Sequence, residues 1–296
     1  MICIIYLGKK EMIKMYSFLK ILFFFDKFIL SWGPGIHLHI GNKLIEDEEL
    51  EPKKSEIIRN NKKEFFYGTI APDITLGKKY IKDLEKHSHI WETGFNVVKK
   101  AKTDKELALG YGYLTHLAAD VIAHNYYLPK ELLLASGLRN FQHTILEMKV
   151  DMILYHDTYK LIENVLKENY KKEDEFLKNI ISKATLPFGI NKKIFEYSLK
   201  IVKSKYINRT MKRLTKYEEW ELKNKKLIKK YHNYSYKLAK DVLNEMENSK
   251  VTKYDPNGEI HLNDSKYQRK KLNKIDLAQK GHKYYIFPEE LNNIGG

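Results

Sequence analysis

Two short segments of the chain set reactive side chains four residues apart. In YLTHLAADVIAHNYYLP they are His116, Asp120 and His124, and in FQHTILEMKVD they are His143, Glu147 and Asp151. On an α-helix, positions four apart drift by only about 40° and rise about 6 Å, so each trio forms one polar stripe. Burying imidazole and carboxylate among apolar neighbours costs on the order of several kcal/mol unless they are hydrogen-bonded, paired or bound to a metal. Two adjacent helices with matching stripes point to metal binding more than to separate core histidines. His124 lies about 12 Å along the axis from His116, too far for two bonds of about 2.0–2.2 Å to one ion. The first helix therefore feeds at least two metals if it feeds any.

Further candidates lie upstream. SWGPGIHLHIGNKLI offers His37 and His39. His37 shares a face with Ile40 and Leu44 and is the better ligand; His39 shares a face with Lys43 and Asp47. YGTIAPDITLG holds Asp73 before Gly77, and EKHSHIWETG holds His87 and His89. The remaining histidines, His156, His232, His261 and His282, have no ligand-spaced neighbours and read as surface or core residues.

The elements that must position these groups are helical. Only 15 Gly and 7 Pro occur in 296 residues, Lys and Glu are abundant, and apolar residues recur at helical spacing with no series of alternating strands. The predicted fold is all-α, a multi-helix bundle with an additional helical C-terminal region. Residues 1–31 read as a leader, basic and then briefly apolar, a probable signal peptide ending at Ser31, with an uncleaved anchor as the alternative. Residues 32–155 form the expected metal-binding catalytic core, 156–250 a charged helical extension packing on it, and 251–296 a weakly ordered basic tail. The single cysteine, Cys3, excludes internal disulfides and a cysteine-based metal site, so any metal is held by His, Asp and Glu. A net charge of +15 favours anionic partners: phospholipid surfaces, nucleic acid or phosphorylated small molecules.

Taken in order, SWGPGIHLHI, APD, SHIW, THLAAD and FQHTILE resemble the zinc-dependent phospholipase C/D family, related to bacterial phosphatidylcholine-type phospholipases C and more distantly to S1/P1-type nucleases. The resemblance covers about residues 32–155. It implies that the leader is cut before Trp32 and that the new terminal amine and carbonyl bind zinc. It implies Asp73, His89 and His116 on one ion, Trp32 with His37 on a second, Asp120 bridging these two, and His124, His143 and Glu147 on a third. Asp73 and Asp120 are the catalytic carboxylates in this reading, with Asp73 orienting an attacking water whose pKa the zinc cluster lowers toward about 7. The chain also departs from the family pattern. Asp120 and His124 are separated by three residues rather than five, Trp32 and His37 are spaced as in the nucleases, and no choline-pocket residues match, since Ile74 follows Asp73.

The expected function is a secreted, zinc-dependent phosphodiester hydrolase acting at a phospholipid membrane surface, with no protein partner inferred. The alternatives are an S1/P1-type nuclease acting on nucleic acid, and a non-catalytic protein whose metals staple a helical fold that binds an anionic membrane.

Overall fold

A computed structural model describes residues 32–74, 87–134, 142–153, 155–181, 187–202, 204–214, 217–271, 285 and 291. Among them there are helices and turns and no strand. The all-α expectation holds. The leader and most of the residues after 271 lie outside the described residues.

The site is organised by helix α5, Asp104–Ile122, which is preceded by α1 (Pro34–Glu46), α2 (Pro52–Asn60), α3 (Lys62–Gly68) and α4 (Trp91–Lys100). α5 starts at a capping box: the Thr103 hydroxyl accepts from the Glu106 N–H while the Glu106 side chain accepts from the Thr103 N–H. Every residue from Ala108 to Ile122 is buried, as expected for a helix enclosed on all sides. On one side it meets a core with Ile36, Ile40, Leu114, Ala118, Leu238 and Val242, the last two from the 29-residue helix Tyr217–Glu245. On the other it meets a core with Tyr67, Ile74, Leu109, Tyr113, Ile162 and Leu177. His116 and Asp120 thus sit on a helix between two apolar layers.

α3 approaches α5 closely. A Cβ at Gly112 would lie 2.1 Å from the Phe65 carbonyl oxygen and 2.9 Å from Gly68 Cα. This close approach brings the carbonyl of Thr69 to His116, one turn beyond Gly112.

Beyond Ile122 the helix widens into a π-turn over Ala123–Tyr127, closed by the Leu128 N–H on the Ala123 carbonyl, before α6 (Leu128–Leu134) resumes. The cause is Pro129, whose ring has no N–H and would clash with the carbonyl of Asn125 in a regular α-helix. The chain goes on through α7 (Gln142–Ile153), α8 (Tyr155–Lys167), α9 (Lys171–Lys178), α10 (Phe188–Val202), α11 (Lys205–Leu214), α12 (Tyr217–Glu245) and α13 (Glu259–Lys271). No described helix is long and apolar enough to cross a membrane.

Candidate metal centre

Four of the expected residues converge first. Asp73, in a 3-10 turn at Ala71–Ile74, places Oδ1 3.3 Å from His89 Nε2 and 3.9 Å from His116 Nε2. The two Nε2 atoms are 3.1 Å apart. Asp120 Oδ2 lies 3.1 Å from His116 Nε2 and 3.4 Å from His89 Nε2. Two donors each about 2.0–2.2 Å from a tetrahedral ion are separated by about 3.3–3.6 Å. The five distances lie near that value, so both carboxylates face the same pair of imidazole nitrogens at metal-ligand spacing.

His37 adds a second group. Its Nε2 lies 3.3 Å from Asp120 Oδ1, and its ring stacks on His116 at 3.8 Å. Asp120 thus directs one oxygen to each group. His37, His116 and Asp120 form one cluster with metal-ligand spacing, and Asp73, His89 and His116 form the other. Both Asp120 oxygens are buried and accept no hydrogen bond of good geometry, an arrangement that a divalent cation fits.

The outward ring nitrogens fix the inward ones. His116 Nδ1 is 2.9 Å from the Thr69 carbonyl, which only an N–H can satisfy, so its Nε2 keeps the lone pair. His89 Nδ1 is 3.0 Å from the Ser88 hydroxyl. Burial, reinforced by His116, lowers the pKa of His37 and keeps it neutral and able to ligate. Burial alone would raise Asp120, but the imidazoles of His116, His124 and His37 outweigh it and hold the carboxylate well below its usual range.

The other expected ligands are placed less directly. Trp32 is buried, its indole Nε1 donating to the Ala119 carbonyl at 3.0 Å and to the Ser235 hydroxyl at 3.1 Å, with its ring stacked on Tyr127. It therefore packs beside the residue that precedes Asp120. His124 is buried, with Nδ1 2.8 Å from the Pro256 carbonyl. Glu147 is buried on α7. His143 also lies on α7, but its side chain is outside the described residues, so the expected third group is described only through His124 and Glu147. His87 is not part of either cluster; its Nδ1 accepts from the His89 N–H and shapes the turn.

Asp151 does not act with the stripe in which its spacing put it. It accepts from the N–H groups of Gly35 at 3.1 Å and Ile36 at 3.2 Å, and so caps the helix that carries His37. Burial pushes its carboxyl up to about 7 in spite of these bonds. Nothing in the local sequence marks this role, because the partners are more than a hundred residues away. The DPNG sequence at Asp255–Gly258 marks a turn, but nothing local marks its packing on the His124 segment: besides Pro256, the Asp255 carbonyl accepts from the Asn125 amide at 2.7 Å. Gly258 has φ +57°, and a Cβ there would lie 2.4 Å from the His124 carbonyl oxygen.

A family model described as zinc dependent phospholipase C matches residues 36–254. The match runs about a hundred residues beyond the segment that carries the motifs, through α12 and up to the turn at Asp255. No curated protein and no solved structure matches the chain.

Proposed function

We propose, from the premise that the chain belongs to the zinc-dependent phospholipase C family, that it cleaves a phosphodiester of phospholipid on the glycerol side of the phosphate. The observation that carries this reading is the pair of clusters sharing His116, with Asp120 directing one oxygen toward each. Asp73, His89, His116 and Asp120 would hold one zinc ion, and Asp120 with His37 and the Trp32 terminus a second. His124, Glu147 and His143 would hold a third. Zinc bound there supplies Lewis acidity for the phosphoryl oxygens and lowers the pKa of water.

The chain's own groups then have defined tasks. Asp73 orients the attacking water and takes its proton. The water oxygen bonds to phosphorus, the bond from phosphorus to the diacylglycerol oxygen breaks, and that oxygen takes up the proton that Asp73 received from the water. The buried layers around α5 limit bulk water at the reacting atoms. The reading includes secretion, with the leader removed at Trp32.

The test is metal analysis combined with assays on phospholipid, single-stranded DNA and a generic phosphodiester. Release of diacylglycerol together with about two to three zinc ions per chain is expected. Cleavage of DNA with phospholipid untouched would move the assignment to the nuclease branch, and zinc without hydrolysis of any of the three would leave a structural metal.

The turn at Asp255–Gly258 gives a narrower prediction. In Gly258→Val, a β-branched side chain at positive φ collides with the His124 carbonyl, at a cost on the order of 1–3 kcal/mol. Because Pro256 orients His124 through Nδ1, zinc affinity at that group should fall by about 10–100-fold while the other two ions are retained. Zinc titration alongside a thermal melt separates the two effects. Uniform loss of all the ions would contradict the assignment of His124 to its own group.

A further inference from the structure

A cleft of about 330 Å³ opens between α1, the end of α7 and α12, on the side of α1 away from His37. His39, two residues from His37, is rotated about 200° from it around the helix. The lining combines two chemistries. Ile153 and Ile228 are apolar, and Ile228 is only 1 % exposed. His39, Lys43, Lys229, His232 and Asn233 are polar, and none of the lining residues is acidic.

The polar groups form an ordered set. His39 Nδ1 lies 2.9 Å from His232 Nε2, with the rings edge to face. His232 is 7 % exposed, and burial, with His39 and Lys43 adding to it, pushes its pKa down to about 3, so it serves as a neutral hydrogen-bonding group. The Lys43 ammonium stands over the Tyr236 ring at 3.9 Å. The nearby Asp47 carboxylate is engaged by the Tyr236 hydroxyl and lies 3.8 Å from Lys240 Nζ. Lys229 and Asn233 are exposed on the same side of α12. Two ammonium groups, an amide and imidazole donors above apolar side chains match a compact dianion carried on an apolar body.

We infer that this cleft between α1 and α12 is a second phospholipid site, binding the phosphate of an anionic headgroup through Lys43, Lys229 and His232. The apolar pair, Ile153 and Ile228, faces the glycerol end of the lipid. The site needs neither zinc nor turnover, so its failure would leave the hydrolytic reading intact, and failure of that reading would leave this site intact.

The test uses co-sedimentation of the full chain with phosphatidylcholine vesicles, with and without phosphatidic acid, at 4 °C and for times short against hydrolysis. The variants are Lys229→Glu and Lys230→Glu, identical charge reversals at adjacent exposed positions, only the first in the cleft. Native protein should prefer the phosphatidic acid vesicles; Lys229→Glu should weaken that binding about tenfold and Lys230→Glu by about twofold. Lys43→Gln, with a melt to confirm folding, should weaken it by severalfold. Equal losses for Lys229→Glu and Lys230→Glu would overturn the site in favour of diffuse charge. Calorimetry with inorganic phosphate distinguishes the sources: phosphate bound without any vesicle preference would overturn the lipid assignment.

Discussion

His116→Ala and Asp120→Asn should each abolish hydrolysis, with a fall of about a thousandfold or more, on the order of 4 kcal/mol of transition-state stabilisation. The reason is that both residues belong to more than one group of donors. His116 Nε2 is within 3.1 Å of both His89 Nε2 and Asp120 Oδ2, and His116 appears in both clusters. Asp120 sends one oxygen toward each cluster. Removing either opens two ion positions at once, so bound zinc should fall by more than one ion per chain. His39→Ala and His87→Ala should leave zinc content and turnover within about twofold, because neither ring lies in a cluster. Zinc counting by emission spectroscopy beside turnover settles the comparison. Full zinc retention in His116→Ala would remove it from the ligand set.

Acidification gives the same test a sign. The folded-state pKa of His37 is below the ordinary histidine value of 6.5, so the folded chain binds fewer protons there than the unfolded chain. Stability and zinc retention should therefore decline as the pH falls through 6.5, rather than as it rises.

The second large effect belongs to the leader. A chain beginning at Trp32 should carry its full zinc complement and be active, whereas a chain retaining residues 1–31 should lose the ion that depends on the new terminus, with turnover lower by about a hundredfold or more. A free α-amine with a pKa near about 7.7–8.0 yields its proton readily beside a cation and donates a lone pair, whereas the amide nitrogen of an uncut chain is a very poor donor. The anchored indole of Trp32, held by Ala119 and Ser235, would keep that terminus beside Asp120. Amino-terminal sequencing of secreted protein, with zinc counts for both forms, provides the measurement. A fully active chain that keeps the leader and all of its zinc would refute the activation step.

Much of the centre was legible because helical spacing and ligand chemistry coincide. The relation of His116 and Asp120 follows from one turn of α5, and the choice of His37 over His39 follows from helix phase, since His37 meets Asp120 and His39 meets His232. What escaped the sequence depends on contacts between distant segments. His232 looked isolated, yet its partner is 193 residues away. Asp151 was phased with His143 and Glu147, but a buried carboxylate is captured by whichever donors are nearest, and these are the uncapped amides of α1. The π-turn at His124 was hidden for a different reason: its cause, Pro129, follows the motif and acts backwards on it.

The hydrogen bond from His124 to the Pro256 carbonyl spans 132 residues, and that from Trp32 to Ser235 spans 203. During synthesis at about 5–20 residues per second, the later partner of each pair emerges many seconds after the earlier one. The helix carrying His116 and Asp120 can form early, but the last orienting contact arrives only with residue 256. A nascent or proteolytically shortened chain ending before that turn would bind metal with an unoriented His124. On the proposed assignment of His124, the fold would place a delay between assembling a metal-binding helix and completing the site, and incomplete chains would cleave phosphodiesters less.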